Sequence, residues 1–165
     1  MKTVKKRSQL QEKDVAKNLN AKTVVASGAM WNAKGDVRSG KFLIECKTTE
    51  KEYYSVSSKV WEKIEEEATK DHGRTPLLII DIEDKDRLVV YSPMYFNCNI
   101  KVSKSFLVDS GKKSFRVSLK LIEEVSNETD DPTTGIEFSI CGKKLSVLMF
   151  MKFEDFIKAY DVELQ

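Results

Sequence analysis

The chain has 165 residues, 41% of them hydrophobic and 33% charged, and its formal net charge is only +2. This balance predicts one charge-rich globular domain with a core of its own, and it excludes a disordered chain. The weak net charge excludes a globally basic nucleic-acid-binding protein, so any DNA surface must be a local patch or be completed by a second subunit.

Cysteine spacing argues against a zinc or disulfide framework, and hydropathy argues against a membrane-spanning protein. Cys46, Cys98 and Cys141 are too far apart for a CxxC zinc motif or a disulfide framework, which favours a reducing, cytoplasmic compartment. No stretch approaches the ~20 apolar residues of a membrane span. The basic N terminus has no apolar run behind it, which is not typical of a secretory signal.

The first predicted element is a helix that begins at Ser8, because Ser8 and Gln11 have capping-box spacing. Glu12 falls in the middle of its apolar face. An acid at this position either points into a cleft, where it helps to hold a metal ion or water, or forms a salt bridge at the helix rim. The apolar neighbours on that face are Val15, Ala16 and Leu19.

A β-branched stretch, residues 23–27, predicts the first strand, and residues 28–35 predict a loop. Ser27 either contacts a phosphate through its hydroxyl or acts as an ordinary turn residue. Trp31 in the loop either stacks on a base or sugar or fills a hydrophobic gap. Both alternatives stay open at these two positions.

Residues 42–47 predict a buried strand that ends in two charges. Side chains alternate along a strand, so Glu45 and Lys47 point to one face while Phe42, Ile44 and Cys46 point to the other. An unpaired buried charge is costly. We therefore expect the face that carries Glu45 and Lys47 to open into a cleft.

A hairpin brings a second acid to this face. If Ser39-Gly40 is a two-residue turn, Asp36 pairs with Leu43 and lies diagonal to Glu45. Diagonal neighbours lie about 7–8 Å apart, a gap that two carboxylates can close around one cation. Two carboxylates with an ammonium beside them are what a magnesium-dependent phosphodiesterase needs.

The rest of the chain predicts an alternation of helix and strand. A short strand at 53–56 leads into a helix that Ser57 or Ser58 caps and that runs to about Asp71. Apolar strands follow at 77–82 and 87–91. This order predicts an α/β fold, a mixed β-sheet flanked by helices.

After Pro93 the pattern becomes β-rich. Residues 100–108 and 114–122 predict a hairpin, residues 123–135 a polar loop, 135–140 and 145–151 a second hairpin, and 153–160 a short helix. The first hairpin is either a phosphate-contacting arm or a charged edge that protects the sheet from aggregation. Its basic residues are Lys101, Lys104, Lys112, Lys113, Arg116 and Lys120. We expect a single domain over 1–165, with a catalytic core at 1–96 and a β-rich extension at 97–165.

Asp36 followed by Glu45-Cys46-Lys47 resembles the motif of PD-(D/E)XK nucleases, although Gly35 stands where that motif has proline. The wider segment, from Ser27-Gly28-Ala29 through Lys34-Gly35-Asp36 to the Glu-Cys-Lys run, resembles the Holliday junction resolvases of archaea and phages. The resemblance covers the first half of the chain well. It covers the last third only through 147–150 and 153–156.

This resemblance implies a restriction-endonuclease-like sheet and a site for Mg²⁺, with Mn²⁺ able to replace it. Asp36, Glu45 and the backbone carbonyl of Cys46 would bind the metal, and Glu12 would support a second metal ion or a water. Lys47 would orient or help to deprotonate the attacking water and stabilise the developing charge. The implied DNA contacts are Ser27, Trp31, Lys34 and Lys59.

The same resemblance implies a homodimer, in a prokaryotic or phage-infected cell, that cuts a four-way DNA junction. We expect apolar residues of the terminal helix or the central strands to contribute to the dimer interface. A flap, nick or restriction-like nuclease of the same superfamily is the nearest alternative. An inactive DNA-binding module is a further one, although such a module has no need of Asp36, Glu45 and Lys47.

Overall fold

The structure is a computed structural model that describes residues 3–24, 36–96, 102–106, 112–128 and 135–160. The helices in these ranges are α1 Val4–Asn18, α2 Ser58–Lys70, α3 Leu119–Glu128 and α4 Phe153–Ala159, with a 3₁₀ turn at Pro93–Tyr95. The strands are β1 Lys22–Thr23, β2 Val37–Arg38, β3 Phe42–Thr49, β4 Tyr53–Ser57, β5 Thr75–Ile82, β6 Asp86–Tyr91, β7 Val102–Phe106, β8 Ser114–Ser118, β9 Gly135–Cys141 and β10 Leu145–Lys152.

Eight strands form one mixed sheet in the order β1-β2-β3-β5-β6-β10-β9-β7, and β4 pairs with β8 in a separate two-stranded ribbon. The β3–β5 and β7–β9 pairs are parallel, and the other pairs are antiparallel. This mixed sheet with helices on its faces confirms the predicted α/β class. No described helix is both long and apolar enough to cross a membrane.

Two hydrophobic clusters cover the two faces of the sheet. On one face, α1 and α4 pack against the even-numbered side chains of β3. On the other face, α2, α3 and the β4–β8 ribbon pack against the even-numbered residues of β5. The helix predicted after Ser57 is confirmed, with the Ser57 hydroxyl accepting from Val60 N–H and Trp61 fully buried.

The aromatic side of α4 is buried in the hydrophobic core. Phe156 and Tyr160 are fully buried and pack against Tyr91 and Phe96, with ring centroids 4.5–5.9 Å apart. The central strand residues 77–80 are equally buried. Neither set presents a free apolar face, so the prediction that they form a dimer interface is wrong.

Helix α1 begins four residues earlier than predicted. Thr3 is its N-cap, and the Thr3 hydroxyl accepts from Lys6 N–H at 3.4 Å. The capping-box pattern at Ser8 therefore lies within the helix, where the Ser8 hydroxyl donates to Glu12 instead. Near the same end, β1 covers only residues 22–23, and the predicted strand residues 25–27 lie outside the described ranges.

The hairpin before β3 has a different register from the predicted one. Val37 pairs with Ile44 and Arg38 with Leu43, so the connection contains four residues and not two. The Ser39 hydroxyl accepts from the backbone N–H groups of Lys41 and Phe42, which stabilises this wider turn. The shift is even-numbered, so every side chain keeps its predicted face.

The predicted basic hairpin is wrong. β7 pairs with β9, β8 pairs with β4, and residues 119–128 form α3 where strand and loop were expected. Ser118 caps α3 by accepting from Leu121 N–H at 3.1 Å, and Ile122 and Val125 bury its apolar side. The second hairpin, β9–β10, is confirmed, and β10 joins it to β6 of the main sheet.

Candidate active site

The charged end of β3 lies where the strand leaves the core. Residues 42–44 are buried, whereas the side chains of Glu45 and Lys47 are 16% and 37% exposed. Lys47 Nζ donates to Glu45 Oε1 at 2.8 Å. Glu45 pairs with Leu78 and Lys47 with Ile80, so both charges lie on the face that α2 and the ribbon cover. The two charges thus share one open face, as the alternation predicts.

Asp36 lies beside β3, on the edge that pairs with β2. Its backbone N–H donates to Ile44 O at 2.9 Å, and its Oδ2 accepts from Cys46 N–H at 2.8 Å. Continuing the observed register sets Asp36 directly opposite Glu45, closer than the predicted diagonal. The N–H and C=O of one strand residue point to the same side, so the Cys46 carbonyl faces this edge as well.

Glu12 reaches the same acids from α1. Its Oε1 accepts from the Ser8 hydroxyl at 3.2 Å. Burial raises the pKa of Glu12, and the negative charges of Asp36 and Glu45 raise it further. In the described ranges, no basic side chain forms an ion pair with Glu12. The structure brings Glu12 within electrostatic reach of the two acids.

Gln11 fixes the position of α1, and sequence analysis did not find it. Its side chain is 3% exposed, and Nε2 donates to the carbonyl oxygens of Lys47 at 2.9 Å and Ile79 at 3.4 Å. These bonds tie α1 to β3 and β5 one residue before Glu12. The only sequence signal was a polar residue on a face that is otherwise apolar.

Tyr54 of β4 is a second neighbour that sequence analysis missed. The residue is half-buried. Burial raises the pKa of its hydroxyl, the charge of Lys47 lowers it, and the charge of Glu45 raises it, which leaves the pKa above its ordinary value. Tyr54 therefore lies beside the Lys47–Glu45 pair. A doublet of tyrosines one turn after β3 was the only signal.

Lys47 is a cation in this arrangement. Burial alone would lower the pKa of Lys47, but the hydrogen bond and charge of Glu45 outweigh burial and raise it. At neutral pH the ammonium keeps its proton and acts as a donor. This protonation state favours a role in orienting water and stabilising charge over a role as a base.

The donor set fits a hard divalent cation. Among the described residues, no three His, Cys, Asp or Glu side chains are grouped to hold a metal ion by themselves. Mg²⁺ seldom needs such a cage, because it usually keeps several waters and takes one or two carboxylates together with substrate phosphates. Asp36, Glu45 and the Cys46 carbonyl are oxygen donors on one strand edge, and their excess negative charge favours a cation.

Of the four predicted DNA contacts, the structure describes only Lys59. Ser27, Trp31 and Lys34 lie outside the described residues. Lys59 is exposed in the first turn of α2. The site is therefore built from β3, the residue before β2, α1 and β4.

No protein-family model matches the chain, and no curated protein matches it. Among solved structures, the chain is similar to a Holliday junction resolvase, Hjc, from the archaeal hyperthermophile Archaeoglobus fulgidus. The two chains are 16% identical with a TM-score of 0.45, and the match covers 72% of this chain and 98% of that one.

Proposed function

We propose that this chain is a metal-dependent endonuclease that cuts branched DNA, with the four-way junction as its substrate. The observation that carries the proposal is the cluster of Asp36, Glu45 and Lys47 at the exposed end of an otherwise buried strand. A strand that needed these residues only for folding would not place two acids side by side where it leaves the core.

Asp36 and Glu45, with the Cys46 carbonyl, would hold Mg²⁺, and Mn²⁺ would replace it through the same oxygen donors. A divalent cation held by these residues would supply Lewis acidity toward the scissile phosphate and would offset the negative charge of the transition state. Asp36 is held in place by the Cys46 N–H, which fixes one carboxylate before any ligand arrives.

Lys47 and Glu12 act on the attacking water. The Lys47 ammonium donates to the water and to a phosphate oxygen, since it stays protonated at neutral pH. Glu12 accepts a hydrogen bond from the water or supports a second cation, because its carboxylate lies within reach of both other acids. Gln11 and Tyr54 position these two groups from either face of the sheet.

The chain would act as a homodimer. A four-way junction is resolved by two symmetric cuts, which need two sites held at a fixed spacing. Pairing two chains also doubles a local basic patch, in keeping with a net charge of only +2 per chain. Light scattering should give a dimer with and without DNA, whereas a monomer in both conditions would favour a flap or nick nuclease.

The decisive experiment compares four synthetic substrates with common arm sequences: a four-way junction, a flap, a nicked duplex and an intact duplex. Wild type should cut the junction in Mg²⁺ or Mn²⁺ and not in EDTA, and Asp36→Asn should cut none of them. Preferred cutting of the flap or the nicked duplex would support the proposed nuclease chemistry but not the four-way junction as its substrate. Binding of all four without cutting would support a DNA-binding module and remove the nuclease proposal.

A further inference from the structure

The β4–β8 ribbon has one buried face and one open face. Paired residues of an antiparallel ribbon share a face, and the face of Tyr54, Val56, Phe115 and Val117 packs on the sheet. The opposite face carries no acid. Its residues are Tyr53, Ser55, Ser57, Ser114, Arg116 and Ser118.

Two cations are held on this open face by one aromatic ring. The Arg116 guanidinium lies 4.4 Å from the centroid of Tyr53, and Lys51 Nζ lies 5.6 Å from the same centroid. Within the described residues, neither cation forms an ion pair with an acid. Stacking on the ring orders the guanidinium and leaves its charge and its donors available to an anion.

Positive charge is concentrated around the ribbon. Segments 51–57 and 112–120 hold five basic residues and one acid, Glu52, whereas the whole chain carries a net charge of only +2. The surface continues into α2, because Ser58 N–H donates to Lys113 O at 2.8 Å and the exposed Lys59 follows. Five basic residues and one acid give these two segments a net charge of +4, compared with +2 for the whole chain.

The open face begins next to the candidate active site. Tyr54 lies beside the Lys47–Glu45 pair on the inner face, and Tyr53, its neighbour in the chain, lies on the outer face. The outer face therefore begins one residue of β4 away from a neighbour of the Lys47–Glu45 pair.

We propose that the outer face of the β4–β8 ribbon binds the phosphate backbone of the DNA arm that leads into the active site. This proposal rests on the proposed nuclease function for the identity of the polymer. Arg116, Lys51 and Lys113 neutralise phosphates, and the serine hydroxyls donate to phosphate oxygens without reading the base sequence. The sequence allowed two roles for the basic residues of this region, contact with phosphate or protection of a sheet edge from aggregation. A face lined with cations and hydroxyls favours contact with phosphate.

The test measures DNA binding in EDTA, so that no cutting occurs, as a function of salt concentration. The ribbon variant combines Lys51→Gln, Lys113→Gln and Arg116→Gln. The control variant combines Lys17→Gln, Lys85→Gln and Lys158→Gln, which removes the same charge from exposed positions on α1, the β5–β6 turn and α4. Thermal melting of each variant checks that it is folded.

At about 0.1 M salt, the ribbon variant should bind a four-way junction at least tenfold more weakly, and the slope of log K against log salt should fall by about 2–3. The control variant should stay within threefold of wild type with an unchanged slope. A further variant with Lys51 and Lys113 intact and Arg116→Lys should recover most of the affinity, because it keeps the charge. If the triple ribbon variant does not fold, the single change Arg116→Gln should still lower the slope by about 1.

Several outcomes overturn the proposal. They are equal losses in both triple variants, no loss in the ribbon variant, no DNA binding by wild type, and tighter binding of an RNA duplex than of the matching DNA. A wild type that cuts junctions alongside a ribbon variant that binds normally removes the surface and keeps the nuclease. Ribbon-dependent binding by a wild type that cuts nothing keeps the surface and removes the nuclease.

Discussion

Helix α1 supplies an acid to each of two charged clusters on neighbouring strands, and the clusters differ in charge pairing. In the first, Arg87 of β6 lies between Asp81 and Asp14, with Nε–Oδ1 and Nη2–Oδ2 contacts of 2.6 and 3.0 Å to Asp81. Burial alone would lower the pKa of Arg87, but both acids together raise it. Every acid of this cluster contacts the guanidinium.

The second cluster contains three acids, Glu12, Asp36 and Glu45, beside the ammonium of Lys47. Lys47 Nζ donates to Glu45 Oε1 at 2.8 Å, and the charges of Asp36 and Glu45 both act on Glu12. Mutual repulsion and burial raise the pKa of Glu12. The comparison indicates that the cluster in which each acid contacts Arg87 stabilises the fold. In the other cluster the acids repel one another, so that cluster is suited to binding a cation.

The largest expected effect is on the rate of junction cutting, which should depend on the acids of the second cluster and not on those of the first. Glu45→Gln should lower the rate of junction cutting by at least about 100-fold, because it removes a metal ligand that supplies several kcal/mol of transition-state stabilisation. Asp36→Asn and Lys47→Ala should do the same, and all three should still bind junction DNA. Asp81→Asn is the matched control and should cut within about threefold of wild type. Wild-type cutting by Glu45→Gln would show that the metal site is misplaced.

For the free energy of unfolding, Asp81→Asn should have a larger effect than Glu45→Gln. Asp81→Asn removes the charge from a bidentate contact that is mostly shielded from solvent, so we expect a loss of about 1.5–3 kcal/mol in the free energy of unfolding. Glu45→Gln should change stability by less than about 1 kcal/mol, since its partner Lys47 is more exposed. Urea unfolding at pH 7 measures both. Equal losses would mean that the Glu45–Lys47 pair is also structural.

The sequence predicts the faces of this molecule better than its long-range pairings. Glu45 and Lys47 share a face because alternation is fixed by the strand itself, and the even register shift kept Asp36 beside them. The partner of β8 was missed because β4 is about sixty residues away in sequence, and no local pattern encodes that pairing. Gln11 and Tyr54 joined the site only through tertiary packing, for the same reason.

Glu12→Gln should lower cutting by about tenfold and raise stability slightly. The folded chain holds the Glu12 proton to a higher pH than the unfolded chain does, because its pKa is raised, so the ionised carboxylate opposes folding above its ordinary value. Glutamine removes that penalty, with a gain below about 1 kcal/mol because the site is partly exposed to solvent. The gain should fade as the pH falls from the raised pKa toward about 4.5 and be absent below it, where the wild-type carboxylate is protonated in both states. Normal cutting at saturating Mg²⁺ would remove Glu12 from the site.

The smallest effect concerns two tyrosines that each lie beside a carboxylate. Tyr54→Phe should lower cutting by about two- to fivefold, because the ring still packs on the core while the hydroxyl beside Lys47 and Glu45 is lost. Tyr95→Phe is the matched control: its hydroxyl donates to Glu65 of α2 at 3.1 Å, and burial followed by Glu65 raises the pKa of Tyr95 to about 12. That variant loses a comparable hydroxyl away from the charged end of β3, so its cutting rate should equal wild type. Because both changes delete one oxygen from a partly buried ring, a difference in cutting at similar stability reports position relative to Lys47. Equal rates in the two variants would confine the chemistry to the acids and Lys47, and would leave Tyr54 as a packing residue of the ribbon.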